Sequence, residues 1–296
     1  MSPIRLGTRA SLLARSQSAQ VAEQIRRRTG IDVQVITITT SGDQITDRPL
    51  YESGGKGLFI KELELALLAN QIDLAVHSCK DVPVTMPLVD QSGLTIAAIP
   101  KRADPHDVLI TSLGTSIDEL PQHCTIATGS LRRKCQLLAR RHDLVIHPIR
   151  GNIDTRIRRV QAGEFAATLL ALAGIHRADL FDHSIMHPIS ADVLLPAPGQ
   201  GALALQCRKD DHTTIEILAK LNDPFTRTAV EAERAVVAAL NCDCHSPIAV
   251  LAEFENDQLH IRAALGHKDG QPPVKSAAAL APPADAIADI VRQLSS

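Results

Sequence analysis

Short apolar runs rich in Val, Ile and Leu alternate with longer stretches of helical apolar spacing through roughly the first 220 residues. Residues 4–8 predict a strand, and residues 12–29 a helix that Gly30 is placed to cap at its carboxyl end. Residues 33–38 are β-branched and extended, 58–70 carry apolar residues at helical spacing, and 73–77 read as a buried strand. Further strands are expected at 94–99, 108–111, 124–127 and 144–149, the last two leading into helical patterns. This βα alternation predicts an α/β protein with parallel or mixed sheets.

Two breaks interrupt the pattern. Prolines bracket the polar run Pro100-Lys101-Arg102-Ala103-Asp104-Pro105, and Leu195-Pro196-Ala197-Pro198-Gly199-Gln200-Gly201 forms the second. They flank a βα block, so the expected organisation is a lobe over 105–195 inserted into a lobe made of 1–100 and 200–220. From residue 223 the character changes to a long helix (226–240), three strands (248–254, 259–265, 274–279) and an amphipathic helix (284–294), a separate α+β module over 223–296. The polar segment 40–57 is long for a loop and ends in Gly54-Gly55-Lys56-Gly57. It lacks the full phosphate-loop pattern and reads instead as a mobile lid carrying Lys56.

Composition narrows the function classes. Of the 296 residues 45% are hydrophobic and only 2% aromatic, and the formal net charge is −2. A base-stacking platform is excluded by the first imbalance and a general nucleic-acid or membrane-surface binder by the second. No apolar run approaches the ~18 residues of a membrane span. The opening Pro3-Ile4-Arg5-Leu6-Gly7 has no signal or transit pattern, and six scattered cysteines are not a disulfide framework. A reducing cytoplasm is the expected compartment.

Candidate chemistry gathers where strands give way to helices. Thr128-Gly129-Ser130-Leu131-Arg132-Arg133-Lys134 and Arg150-Gly151-Asn152-Ile153-Asp154-Thr155-Arg156 each place guanidinium groups beside helix N-termini. Cations there are unfavourable unless an anion joins them, and together with backbone N–H groups they suit carboxylate or phosphate. One such run is ordinarily a solvated surface; two in succession point to a polyanion. His77-Ser78-Cys79-Lys80-Asp81 adds an acid, Asp81, which is either one half of a local ion pair with Lys80 or a group able to stabilise a cationic intermediate. Asn241-Cys242-Asp243-Cys244-His245-Ser246-Pro247 fits three readings equally: an incomplete metal-ligand fragment, inert thiols, or a loop bearing a nucleophilic or attachment cysteine.

Several stretches in order resemble the hydroxymethylbilane synthase (porphobilinogen deaminase) family over essentially the whole chain. They are Gly7-Thr8-Arg9-Ala10-Ser11, Gly54 through Glu62, His77 through Pro83, Gly129-Ser130-Leu131-Arg132-Arg133, Arg150-Gly151-Asn152, Pro198-Gly199-Gln200-Gly201-Ala202 and Ala232-Glu233-Arg234. The resemblance implies two periplasmic-binding-protein-like α/β lobes with mixed sheets, an active cleft between them, and a smaller C-terminal α+β domain with a three-stranded antiparallel sheet. It implies a monomeric cytoplasmic transferase of porphyrin and heme biosynthesis that joins four porphobilinogen molecules head to tail, with loss of ammonia, into a linear tetrapyrrole. It also implies a dipyrromethane cofactor held by a thioether to Cys244, no metal, and no nucleic-acid or membrane partner.

By the same resemblance Asp81 is catalytic, stabilising the cationic intermediate left when ammonia departs. Lys80, Asp81, Thr128, Ser130, Arg132, Arg133, Arg150 and Gly151 hold the cofactor. Arg9, Ser11, Lys56, Phe59, Arg150, Asn152, Arg156, Arg177 and Gln200 bind substrate. The chain departs from the family pattern at Leu12, Glu52, Gly129, Asp154 and Cys242, and Asp154 is expected to temper the charge of Arg156. Two rivals from other classes are a carboxylate-binding protein without catalysis and a metal-dependent hydrolase built on Cys242, Cys244 and His245.

Overall fold

The computed structural model describes residues 2–38, 60–83, 93–243, 246–256, 258–272 and 274–295. Lys56, Phe59, Cys244, His245 and the expected lid at 40–57 lie outside the described residues. The chain forms two compact units, Met1–Arg102 with Ala202–Arg227, and Ala103–Gly201 with Thr228–Ser296.

In the first unit the strands are β1 (Ile4–Thr8), β2 (Val33–Thr37), β3 (Leu74–Ser78), β4 (Leu94–Ala98) and β10 (Leu203–Arg208). The sheet order is β2-β1-β3-β10-β4. β1 runs parallel to β2 and β3, whereas β10 is antiparallel to β3 and β4. Helix α1 (Leu12–Thr29) starts at a Ser11 cap and ends on left-handed Gly30, whose N–H bonds Arg26 O, as the sequence anticipates. Its Val21, Ala22 and Ile25 close over Ile4, Leu6, Leu74 and Leu205 to make the core. Helix α2 (Lys61–Leu68) buries Leu63, Ala66 and Leu67 on the other side, with Ile72 and Ala75. Gly7 suits this packing, because a Cβ there would stand 2.4 Å from Ile72 Cδ1 and force that side chain to shift. At the amino end of β3, Asp73 takes Arg5 at 2.7 Å and Arg208 at 2.8 Å. Burial raises its carboxyl, but the hydrogen bonds from Arg5 and Arg208 and the charge of Arg5 bring it down to about 2.

The second unit repeats the arrangement. Its strands β5 (Asp107–Ile110), β6 (Thr125–Ala127), β7 (Val145–His147), β8 (Ala167–Ala171) and β9 (Met186–Ile189) form a sheet ordered β7-β6-β8-β5-β9. β6 is parallel to β7 and β8; β5 is antiparallel to β8 and β9. In each unit the antiparallel strand (β10 or β5) is the first one formed after the chain crosses from the other unit. Helices α3 (Leu131–Arg140), α4 (Ile153–Gln161) and α5 (Leu172–Arg177) follow β6, β7 and β8. Leu109, Ile126, Leu137 and Leu169 centre one face of the core, and Val108, Ile110, Leu170 and Ile175 the other.

Helix α6 (His212–Ala219) belongs to the first unit, while α7 (Pro224–Ala239) begins at its end and leads into the C-terminal module. That module has strands β11 (Ile248–Glu255), β12 (Gln258–Leu265) and β13 (Lys275–Ala281), an antiparallel sheet in sequence order, and helix α8 (Pro283–Ser295). The fold class is therefore the expected one: mixed α/β sheets and a three-stranded antiparallel sheet.

A polar chain runs through the first unit's interior. His77, on β3, places Nε2 2.9 Å from Gln206 Oε1, and the Gln206 amide donates to Glu64 Oε1 at 2.8 Å. All three side chains are buried. Because Gln206 offers an oxygen, the imidazole donates from Nε2, and burial pushes its pKa down to about 4 against the opposing Gln206 bond. Unfolded, the ring titrates near 6.5. Between those values the unfolded chain holds the extra proton, so stability rises with pH across the window and falls as acid is added. Replacing His77 by Gln should flatten this acid limb by on the order of 3 kcal/mol. Urea midpoints at pH 4.5 and pH 7 for both proteins measure it, and an equally steep limb in the variant would assign the pH dependence to other groups.

Candidate active site

Open α/β sheets bind ligands beyond the carboxyl ends of parallel strands, where the connections leave in opposite directions. The orders β2-β1-β3 and β7-β6-β8 create one such point in each unit. Among the described residues, Arg9 and Ser11 follow β1, Lys80 and Asp81 follow β3, Thr128 and Ser130 follow β6, and Arg150 to Asn152 follow β7.

In the first unit, Arg9 follows β1 and is half-buried, and Ser11 caps α1, its Oγ accepting from Ala14 N–H at 3.4 Å. β3 ends in a single 3₁₀ turn, Cys79–Asp81. Cys79 N–H donates to Ala202 O at 3.0 Å, Val82 N–H to Cys79 O at 3.1 Å, and the Gln17 amide to Ser78 Oγ at 2.9 Å. The turn is thus pinned on both sides, with Lys80 half-buried and Asp81 exposed to solvent.

In the second unit, β6 is followed by buried Thr128, whose Oγ1 accepts from Ser130 N–H at 3.2 Å. Ser130 in turn caps α3 by accepting from Arg133 N–H at 3.4 Å. This cap aims the first turn of α3 inward, and Arg132 and Arg133 are only 4% and 6% exposed. Their partner is Asp107, fully buried at the start of β5: Arg133 Nη2 reaches Oδ1 at 2.7 Å and Arg132 Nη2 reaches Oδ2 at 2.8 Å. Arg133 Nη1 also donates to Leu169 O at 2.8 Å and Arg132 Nη1 to Leu195 O at 2.6 Å. The Gln200 amide donates to Asp107 Oδ1 at 3.0 Å and Pro105 O at 2.7 Å. Burial would raise the Asp107 carboxyl, but the Arg132 and Arg133 guanidiniums outweigh it and hold it well below the usual carboxylate range. Burial likewise draws Arg132 down, opposed by Asp107.

The turn that carries Gln200 is fixed residue by residue. Gly199 N–H donates to Glu233 Oε2 at 2.6 Å, and Gly201 O accepts from Arg177 Nη2 at 2.8 Å and from Ala103 N–H at 3.2 Å. Gly201 has φ +87°, and a Cβ there would meet Ala103 O at 2.4 Å, so only glycine fits. Glu233, fully buried on α7, also accepts from Ala252 N–H at 2.8 Å and so ties this turn to β11.

The other arginine run is more open. Arg150 and Gly151 are exposed, and Gly151 has φ +111°. Asn152 occupies the cap position of α4 without a side-chain cap bond, and Arg156 Nε donates back to Gly151 O at 2.8 Å. Asp154 pairs with Arg158 at 3.2 Å. Its partner is thus the residue one helical turn on, in addition to whatever field it exerts on Arg156.

Helix α3 also faces the C-terminal module. A Cβ on Gly266 would lie 2.6 Å from Cys135 Sγ and 3.4 Å from Pro247 Cβ, and Lys134 Nζ donates to Asp269 O at 2.9 Å. Next to Pro247, Ser246 N–H donates to Asp243 O at 3.0 Å, and Asp243 N–H to Ser246 Oγ at 2.9 Å. Cys242 is half-buried, and burial, helped by Asp243, raises its thiol. Cys79, Cys124, Cys135, Cys207 and Cys242 are free thiols. Asp107 and the anchoring role of Glu233 were not read from the sequence. A carboxylate opening a strand of Val, Leu and Ile was the available signal for Asp107.

Residues 4–216 match the family described as porphobilinogen deaminase, dipyromethane cofactor binding domain, and residues 227–291 match porphobilinogen deaminase, C-terminal domain. Porphobilinogen deaminase of Roseiflexus sp. (strain RS-1) is 44% identical over 267 residues, covering 90% of this chain and 86% of the relative. That of Syntrophotalea carbinolica is 46% identical over 270 residues, covering 91% and 84%. The Bordetella pertussis BvgS periplasmic VFT2 domain aligns over 74% of this chain and 86% of its own at 16% identity, with a TM-score of 0.42, a likeness too slight to bear on activity. No helix among the described residues is long and apolar enough to cross a membrane. The chain belongs to the porphobilinogen deaminase family, transferases that build a linear tetrapyrrole from porphobilinogen on a dipyrromethane cofactor in porphyrin and heme biosynthesis.

Proposed function

We propose that the described residues divide this work between a cofactor-holding cluster in the second unit and a catalytic turn in the first. The observation that carries the reading is the double use of α3. Its first turn directs Arg132 and Arg133 to Asp107, while Leu131, Lys134 and Cys135 of the same turns pack on the C-terminal module beside Pro247. Cys244 stands three residues before Pro247 in the sequence, which supports the reading that a group on its sulfur belongs with these arginines. The residues fit a multiply carboxylated group: two buried guanidiniums share one internal carboxylate, and the Arg150–Asn152 corner leads into a helix N-terminus.

Bound to Cys244, the dipyrromethane supplies the pyrrole terminus to which substrate is joined. Arg132, Arg133, Lys80 and Arg150, with Thr128, Ser130 and Gly151, hold its carboxylates. Arg9, Ser11, Lys56, Phe59, Asn152, Arg156, Arg177 and Gln200 receive porphobilinogen. Asp81, fixed at the end of β3 by the bond from Cys79 N–H to Ala202 O, presents negative charge where positive charge develops as ammonia leaves. Three functional domains, 1–100 with 200–220, 105–195 and 223–296, a monomeric state, a cytoplasmic location and the absence of a nucleic-acid partner complete the reading. The near-neutral net charge of −2 supports the last of these.

Intact mass tests the anchor. The purified protein should exceed its sequence mass by two linked pyrrole units, and Cys244→Ser should remove the excess; an adduct on Cys242 would overturn the assignment. Asp81→Asn, which keeps the shape and removes the charge, should retain the adduct and lose on the order of 10²–10³-fold in turnover. Near-normal tetrapyrrole formation by that variant would refute the electrostatic role.

A further inference from the structure

Asp107 lies among more positive charge than it neutralises. Two guanidiniums less one carboxylate leave a buried charge of +1, with side-chain exposures of 5% for Arg132, 8% for Arg133 and 0% for Asp107. Among the described residues, the other hydrogen-bond partners of the two guanidiniums are neutral carbonyls, Leu195 O and Leu169 O. Gln200 adds a neutral amide on Asp107 Oδ1. The hydrogen bonding is also incomplete. Arg132 Nη2 stands 2.8 Å from Oδ2 without the alignment of a hydrogen bond, and Arg133 Nε is buried with no acceptor among the described residues. A buried charge left over in this way is unfavourable until an anion completes it.

We propose that Asp107 is a positioning residue that stands in for one ligand carboxylate, leaving the Arg132–Arg133 pair room for a single further carboxylate of the pyrrole chain and limiting how tightly the pair holds it. This rests on the reading above that the two arginines grip cofactor or chain carboxylates. Two buried guanidiniums without Asp107 would accept two carboxylates as paired, charge-assisted bonds, and such a grip opposes movement of a chain that must advance. With Asp107 in place one carboxylate is already satisfied internally. The ligand's carboxylate then meets a net charge of one and competes with a group that cannot leave. Gln200 keeps Asp107 aligned without altering that balance, because its turn is held from elsewhere by Glu233 and Arg177.

A series of cluster charges separates this role from a purely structural one. The wild type carries +1, Asp107→Asn +2, Arg133→Gln 0, and the double variant Asp107→Asn with Arg133→Gln +1 again, counting two guanidiniums and one carboxylate at the start. Each holoenzyme is mixed with porphobilinogen and desalted, and intact mass follows the lifetime of species carrying added pyrrole units. The lifetime should lengthen about tenfold in Asp107→Asn with a lower KM and a lower kcat, shorten about tenfold in Arg133→Gln, and return to within about threefold of wild type in the double variant. A residue that only holds the arginines in place would give the opposite: a raised KM in Asp107→Asn and a double variant no better than either single one. That result overturns the proposal. If Asp107→Asn does not fold, Arg133→Gln against the double variant decides, since a longer lifetime in the double supports the proposal and an equal or shorter one overturns it. Absence of the two-pyrrole adduct from the wild type would overturn the cofactor reading itself. An adduct on every variant, with lifetimes indifferent to cluster charge, would overturn this inference alone.

Discussion

One carboxylate buried between two guanidiniums organises the second unit. Removing charges from water is expensive, and the expense is met only where geometry and hydrogen bonds are good. Asp107 can be buried because Ser130 caps α3 and turns its first residues toward β5, and because Gln200 adds a donor. Arg132 and Arg133 can be buried because Leu195 O, Leu169 O and Asp107 receive them. Each partner comes from a different part of the unit: the start of β5, the middle of β8, the Leu195 segment and the Gly199–Gly201 turn. Misplacing any of them leaves a buried charge without its neighbour, so the cluster constrains the whole lobe more strongly than an apolar contact of equal size.

The same turn conveys that constraint along the chain. Gly201 O is held by Arg177 and Ala103, and the next carbonyl, Ala202 O, receives Cys79 N–H at the head of the Lys80–Asp81 turn. Consecutive peptide groups therefore belong to the anchoring of the arginine cluster and to that of the Cys79–Asp81 turn. The crossing at Gly201–Ala202 leads directly into β10, the antiparallel strand of the first unit, as the crossing at Arg102–Ala103 leads into β5. The positive φ and the tight contact at Gly201 are understandable in these terms, because a side chain there would push Ala103 away from its bond.

Much of the architecture was legible from periodicity. The helix at 12–29 with its Gly30 cap, the strands around 74–78 and 94–98, and the three-stranded module after 248 follow directly from spacing and turn residues. Boundaries moved by a residue or two, as at 124–127 against Thr125–Ala127, where the end of a short strand depends on a neighbour's register. The compact unit that joins 103–201 to 228–296 was not legible, because its contacts pair residues more than a hundred positions apart, such as Lys134 with Asp269. The arginine runs were legible as cationic sites. That two of those cations face an internal carboxylate was not, since Asp107 looks in sequence like an ordinary polar residue opening a strand. Asp154 shows the same on a smaller scale: its ion pair one helical turn on, with Arg158, was not read from the sequence although i,i+4 spacing provides for it.

Burial sorts the cations by what they can do. Arg150 is exposed, Arg9, Arg156 and Arg177 are intermediate, and Arg132 and Arg133 are inside. An exposed pair in water contributes roughly 0–1 kcal/mol and is screened by salt, whereas breaking a buried pair costs roughly 3–5 kcal/mol. Uniformly buried arginines would hold each carboxylate so strongly that a growing chain could not shift. Uniformly exposed ones would not register it. On the proposed reading, a graded set, strongest in the second unit's interior and weakest at its Arg150 corner, would register a growing chain without immobilising it. The internal carboxylate at the strongest position follows the same logic, since it lowers the one grip that would otherwise stand far above the rest.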